Sequence, residues 1–522
     1  MLFTPLLTLL LGASHAQAAY VKINSTFDEA NSIRVKHFEE AQLCDGGSKH
    51  HTGWADISDH HLFFWYHEAR STAIDPPLLI WLQGGPGGSS LIGCLAENGP
   101  CQVNDYANGT TYNPYSWTES FHVIYIDQPV GTGFSYVDEV DEPESYPDRT
   151  EQSALDFVTM LKLLYEAFPQ LKDLPLHIAG ESYAGRFIPV YAATIIDYNA
   201  LADNDSKIPI ASIMVGNGWS SPLDNEVSLY EISCYLHDSI LPVFNTTECS
   251  QMANAVDQCE IMMEACVSVP DNLVCRTAGE YCDKHLLNTM EDKLLTPYDR
   301  TLKCPAPGRC YPDFRRATEW LNSTEVKERQ LEVVSQSGSR KTSFEMSSSL
   351  ISERYHDSGD FWTDSSPSLK KILDYTSSQK ALSKDPGIDM LYYVGINDWI
   401  CNPIGVRRLL ERIKWKNHAE FRAMDMEILP WATKDGHKGT RAKKTDGLWY
   451  YEIQDAGHLV PRDQPGLALK MVQEWLDHVK SKSVKVGRVS DKSGSISGEK
   501  SLDAAAKQHA LVDLESGELK KL

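Results

Sequence analysis

Residues 176–185 read LHIAGESYAG, and this stretch decides the fold. An apolar run at 176–179 leads into Gly180-Glu181-Ser182-Tyr183-Ala184-Gly185, and a helix-compatible run follows from 186 to 198. Strand, sharp turn and helix in that order are the setting of a nucleophile elbow, where the turn lifts a Ser hydroxyl above the edge of a sheet. The general pattern is G-x-S-x-G. Here Ala184 takes the last position and Gly185 comes one later. Ala is small enough for a crowded turn, but the same residues would also suit a plain Gly/Ser helix cap, so the surroundings must decide.

Working outward, short apolar runs at 78–82 (LLIWL), 123–127 (VIYID), 210–215 (IASIMV), 391–394 (LYYV) and 449–453 (WYYEI) read as buried strands. Helical patterns at 151–168 and 468–479 lie between or after them. Strands alternating with helices predict an α/β fold with a mostly parallel central sheet and helices on both faces. Ahead of it, 52–56 and 61–67 resemble an antiparallel hairpin turned at Ser58-Asp59. The rhythm breaks from 216 to 345, which holds eight of the twelve cysteines and a helical piece at 248–266. We read 20–215 and 346–480 as the core and 216–345 as a disulfide-stapled insertion or cap. Residues 481–522 read as a polar tail, with a short helix possible at 504–514.

Charge excludes some partners. Lys and Arg number 49 against 72 Asp and Glu, a net charge of −23, and mean hydropathy is −0.35. Such a surface repels phosphate backbones and anionic lipid, so nucleic acid and membrane surfaces are poor partners. The apolar run at 2–12 and the small-x-small pattern Ala16-Gln17-Ala18 read as a signal peptide over 1–19, although its start carries no Lys or Arg. Past residue 20 no apolar run reaches the ~18 residues a spanning helix needs. Sequons at Asn24, Asn108, Asn204, Asn245 and Asn322 agree with secretion. The clustered cysteines lack C-x2-C spacing, so disulfides in an oxidising compartment are preferred to zinc, and no metal or cofactor is expected. The destination is the secretory pathway, ending outside the cell or in a vacuole or lysosome.

A Ser hydroxyl needs a base to take its proton and an acid to orient that base. In α/β-hydrolases the partners follow in the order Ser, Asp or Glu, His. Among 17 histidines His458 is best placed, in Gly457-His458-Leu459-Val460-Pro461 just after the run 449–453. Asp398 likewise follows 391–394, in Gly395-Ile396-Asn397-Asp398-Trp399. Loops after the carboxyl ends of strands are where such sheets gather reactive side chains.

WLQGGPGGSS (81–90), ENGP (97–100), DQPVGTGFSY (127–136), GESYAG (180–185), DWICN (398–402) and GHLVP (457–461) together resemble the serine carboxypeptidase family. The likeness spans about residues 35 to 480 and includes the α/β-hydrolase fold. It implies Ser182 as nucleophile, His458 as general base then acid, Asp398 as its orienting acid, and the N–H groups of Gly85 and Tyr183 as an oxyanion hole. It also implies that Trp81, Gln83, Glu97 and Glu181 read the free carboxylate of a peptide or protein C-terminus. Two acids can hold an anion if they share a proton, which predicts activity favouring acid pH.

Two positions depart from the family pattern: Gln83 stands where many members carry Asn, and Gly88 where many carry Cys. The second departure implies that a disulfide tying that loop to later chain is missing. The resemblance also implies the pairs Cys234–Cys249, Cys259–Cys282, Cys266–Cys275 and Cys304–Cys310, and an unpaired thiol at Cys401. Cys44, Cys94 and Cys101 then leave an odd count, and Cys44–Cys101 is the favoured pair. The apolar loop 91–95 points to hydrophobic or broad specificity. An esterase or acyltransferase using the same Ser182, and a non-catalytic protective protein of this fold, are the alternatives.

Overall fold

The computed structural model describes residues 19–71, 75–235, 242–290, 295–306, 310–382, 387–434, 436 and 439–490. The expected signal peptide at 1–19, save its last residue, and the expected helix at 504–514 lie outside them. The described strands are β1 (Val21–Asn24), β2 (Asn31–Phe38), β3 (His50–Ile57), β4 (His60–His67), β5 (Leu78–Leu82), β6 (Cys101–Val103), β7 (Thr110–Tyr112), β8 (His122–Ile126) and β9 (Tyr136–Val137). They continue as β10 (Leu176–Ser182), β11 (Ile210–Gly218), β12 (Leu295–Thr296), β13 (Asp299–Lys303), β14 (Asp389–Gly395), β15 (Glu427–Ile428), β16 (Arg441–Lys444) and β17 (Leu448–Ile453).

One sheet has the order β1-β2-β3-β4-β8-β5-β10-β11-β14-β17-β16-β15, with β9 alongside β4. Its centre, β8 to β17, is parallel, while both flanks are antiparallel. The centre of the sheet is parallel as expected, the expected hairpin is β3–β4, and further antiparallel strands extend both flanks. Short links explain the flanks: β3 and β4 are joined by Ser58-Asp59 alone, and so short a turn permits only antiparallel pairing. Parallel neighbours need crossovers, and α2 (Ala184–Leu201) connects β10 to β11 while α1 (Thr150–Ala167) precedes β10.

β5 shows why its sequence is apolar throughout. Leu78, Ile80 and Leu82 pack on one face with residues of α1 and α2. Leu79 and Trp81 pack on the other with Met471 and Trp475 of the helix Pro465–Ser490. A strand covered on both faces has no solvated side to alternate toward. That last helix runs through Ser490, past the expected core limit at 480, and Lys482 Nζ reaches Asp389, 2.8 Å away. Among the described residues no helix is long and apolar enough to cross a membrane.

Between β11 and β14 come α3 (Pro222–Cys234), α4 (Thr246–Ser268) and α5 (Asn272–His285), then the hairpin β12–β13. β11 extends to Gly218, so the expected cap boundary at 216 falls inside a core strand. Asn245 caps α4 through bonds from the N–H groups of Thr247 and Glu248, and Glu248 returns a bond to the Asn245 N–H. Disulfides join Cys234–Cys249, Cys259–Cys282, Cys266–Cys275, Cys304–Cys310 and Cys44–Cys101, leaving Cys94 and Cys401 free and buried.

Candidate active site

Ser182 ends β10 with φ +63°, the left-handed region that a non-glycine residue occupies only where its surroundings impose it. Tyr183 follows, and its phenol donates to Asp360 Oδ2, 2.6 Å away, which anchors the turn from the far side. A Cβ at Gly185 would come within 2.6 Å of Ser220 Oγ. The glycine that lets α2 pack against β11 therefore belongs at 185, and position 184 tolerates Ala. The Gly-Gly-Pro-Gly turn meets the elbow directly: a Cβ at Gly84 would lie 2.4 Å from the Tyr183 nitrogen and 2.6 Å from Ser182 Cβ. This close approach brings the backbone around Gly85 beside the N–H of Tyr183.

Parallel pairing of β10, β11, β14 and β17 carries the three expected catalytic residues to one edge of the sheet. Asp398 Oδ2 lies 2.7 Å from His458 Nδ1 and accepts a second bond, also 2.7 Å, from Asn217 Nδ2. Its Oδ1 accepts from the N–H groups of Ile400 and Cys401 at 3.1 and 3.3 Å. Asp398 is fully buried, and four donors are what lets a carboxylate remain there. His458 donates its backbone N–H to Tyr298 O at 2.7 Å, and its ring lies 4.9 Å from that of Tyr298. Ser182 pairs with Gly218, next to Asn217. His458 Nε2 is buried and has no hydrogen-bond partner among the described residues, Ser182 included. Such contacts commonly tighten only with substrate bound.

The expected carboxylate readers form a chain. Trp81 Nε1 donates to Gln83 Oε1 at 3.1 Å, and Gln83 Nε2 donates to Glu181 Oε1 at 2.7 Å. Glu97 and Glu181 are buried, and neither Glu97 oxygen nor Glu181 Oε2 meets a donor among the described residues. Burial raises both carboxyls well out of the usual range, and the proximity of Glu97 raises Glu181 further. A dry pair of this kind holds a proton that one acid can donate.

Gly88 lies opposite Ser347 in an antiparallel bridge, with Ser89 N–H to Met346 O at 3.0 Å and Ser348 N–H to Gly87 O at 2.9 Å. Backbone bonds thus tie the loop where a disulfide is missing. Cys401 is buried with its thiol pushed up by desolvation, and its sulfur sits with ligand atoms of Asp398 and His458, all within 4.8 Å of one another.

The sequence reading missed four supports: Asn217, Tyr298, Asp360 and Asp127. Asp127 accepts bonds from Ser89 Oγ and the Phe134 N–H, joining two of the loops quoted above. Only Asn217 had a local signal, an Asn-Gly pair at a strand end, and its φ is +44°. Asn24, Asn108, Asn204 and Asn245 are exposed. Asn322 differs: its amide donates to Thr318 O and Phe344 O and accepts from the Phe344 N–H, so a glycan there would break bonds of the fold. A cleft of about 490 Å³ lined by Arg407, Arg408, Arg412 and neighbours contains none of the expected site residues.

Comparison with known proteins agrees with this geometry. Residues 43–478 match the serine carboxypeptidase family. The chain is 32% identical over 452 residues to carboxypeptidase Y homolog A of Arthroderma gypseum, covering 85% of this chain and 77% of that one. It is 31% identical over 449 residues to the homologue of the same name from Paracoccidioides brasiliensis strain Pb03, covering 85% and 76%. The fold resembles the crystal structure of Kex1, a prohormone-processing carboxypeptidase of Saccharomyces cerevisiae, with a TM-score of 0.66 at 22% identity over 86% of this chain and 92% of that one. A strained Ser at an elbow, a bonded Asp and His beyond it, and a match of this extent make the chain a member of the serine carboxypeptidase family and a serine-type carboxypeptidase.

Proposed function

We propose that the enzyme removes C-terminal residues from peptides at acid pH, with Ser182, His458 and Asp398 as its catalytic triad. Ser182 Oγ attacks the scissile carbonyl while His458 Nε2 takes its proton. The N–H groups of Gly85 and Tyr183 receive the oxyanion. His458 then protonates the leaving amine, which is the released amino acid, and activates water to hydrolyse the acyl-enzyme. Asp398 holds the imidazole in orientation and stabilises its charge.

The observation that carries exopeptidase specificity is the buried set Gln83, Glu97 and Glu181 beside the elbow. At acid pH the pair keeps its proton and offers O–H to a substrate carboxylate. As pH rises through the elevated pKa values the proton is lost, and the ionised pair repels that carboxylate, so KM rises. Side-chain preference is hydrophobic or broad, supported by the apolar loop 91–95. Five disulfides support passage through an oxidising secretory compartment, ending in a vacuole or outside the cell.

The test compares a blocked dipeptide bearing a free carboxylate with its C-terminal amide, for wild type and Ser182→Ala. The free acid should be preferred at least 100-fold near pH 5, and the variant should lose several orders of magnitude in kcat while keeping its thermal midpoint. Equal turnover of acid and amide, or an active variant, would sink the proposal.

A further inference from the structure

A second pair of acids, one fully buried and one half-buried, lies apart from Glu97 and Glu181. Glu226 on α3 is fully buried, and neither of its oxygens meets a hydrogen-bond donor among the described residues. Asp283 on α5 faces it, and Asp283 Oδ1 also lacks a donor. No Lys or Arg reaches either acid among the described residues. The charged or titratable groups around them are His356 and Glu280 beside Asp283, and Cys401 on the core side of Glu226. The indole of Trp362 closes the Asp283 side.

Two carboxyls facing each other, one of them fully buried and with no Lys or Arg beside them, strongly oppose ionising together. One must keep a proton and donate it to the other. The helices they join matter for catalysis. α3 follows β11, whose Asn217 holds Asp398, and α5 belongs to the cap. The buried thiol of Cys401 feels both Asp398 and Glu226.

We propose that Glu226 and Asp283 share a proton across the α3–α5 contact and act as positioning residues, holding the cap against the Asp398–Cys401 loop while that proton is present. This rests on Asp398 serving the triad. Burial and mutual repulsion raise both acids above their ordinary range. A raised acid stabilises the fold below its unfolded pKa and loses that contribution as pH rises through the folded value. The clamp is closed in acid and opens toward neutral pH.

Glu226→Gln supplies an amide N–H to Asp283 that no longer titrates. Full-length wild type and variant would be compared from pH 5 to 8 by hydrogen exchange and by turnover of a blocked amino-acid ester. The ester carries no free carboxylate, so ionisation of Glu97 and Glu181 does not enter. In wild type, protection factors (exchange divided by the intrinsic rate of each amide at that pH) over 222–234 and 272–285 should fall at least tenfold between pH 5 and 8, with kcat on the ester falling relative to that of the variant. In the variant the fall in protection should stay under threefold. Asp283→Asn gives the same readout if Glu226→Gln does not fold. Superimposable exchange profiles for wild type and variant would overturn the clamp even if the triad assignment holds. So would an effect confined to substrates with a cationic side chain beside the scissile bond, since the acids would then be contacting substrate. The exchange readout is independent of the triad, whose failure would appear in Ser182→Ala instead.

Discussion

Asp398 shows how much of the site rests on single side chains. Its four donors differ in kind: two are backbone N–H groups that any sequence would supply, while Asn217 Nδ2 and His458 Nδ1 depend on residue identity. Asn217→Ala removes one bond to Oδ2 and leaves Gly395 N–H without its acceptor. A hydrogen bond to a charged group contributes ~1.5–3 kcal/mol, so kcat should fall about 10- to 100-fold with KM little changed, as steady-state kinetics on a dipeptide would show. Glu97→Gln is the complementary case, because the amide keeps a donor and cannot ionise. Its KM should be higher near pH 5 but should no longer climb toward pH 8, and a wild-type-like slope would refute the shared proton. Ser182 and His458 were legible because a turn motif and its neighbours are local in sequence. Asn217 stood only as a turn signal, since its partner lies 181 positions away.

At the scale of elements, the β12–β13 hairpin bonds to both loops of the candidate site. Pro297 O accepts the N–H groups of Trp399 and Ile400, and Tyr298 O accepts that of His458. Arg300 spans the same junction, with its N–H to Asn397 O at 2.9 Å and its guanidinium to Ile232 O at 3.0 Å and Ile396 O at 3.3 Å. Arg300 is buried, so Arg300→Ala would leave Ile232 O and Ile396 O without their guanidinium donor while keeping the backbone bond to Asn397 O. We expect the melting temperature to drop by several degrees and kcat to fall at least tenfold, because the loop that carries Asp398 loses its side-chain brace to α3. Calorimetry alongside kinetics would separate the two effects. An insertion with a thermal effect alone would be a staple and nothing more. The short core strands were legible as apolar runs, whereas β12 and β13 were not, since their residues are polar and mostly only partly buried.

For the whole molecule, two sets of buried groups pull stability in opposite directions with pH. The carboxyl pairs Glu97–Glu181 and Glu226–Asp283 have raised pKa values and contribute stability that is lost as pH rises through them. Burial lowers His50 to about 4 and His177 to about 3, and drives His67 down as well. For a base lowered by folding, stability falls as pH drops below its unfolded value near ~6.5, because only the unfolded chain takes up the proton there. Denaturation followed across pH 3 to 9 should therefore give a maximum in weak acid with losses on both sides. His177, held by Ser212 Oγ at 2.7 Å, is a clean probe of the acid side. His177→Gln should flatten the loss below pH 6 without touching the loss above pH 7, and an unchanged acid limb would remove burial of His177 as its cause.

By itself the sequence carried the elbow motif, the loops of Asp398 and His458 after their strands, and the apolar strands, while Glu97 and Glu181 were singled out only through the family resemblance. Motif, loops and strands are each written in neighbouring residues, where spacing and side-chain type act locally. Tertiary structure alone decided the antiparallel strands beyond the β3–β4 hairpin, the brace of Tyr298 and Arg300, the support of Asn217, and the meeting of Glu226 with Asp283. These depend on which distant segments become neighbours, and on how far burial strips water from a charge. What a carboxyl does here is set by that desolvation, which no local run of residues records.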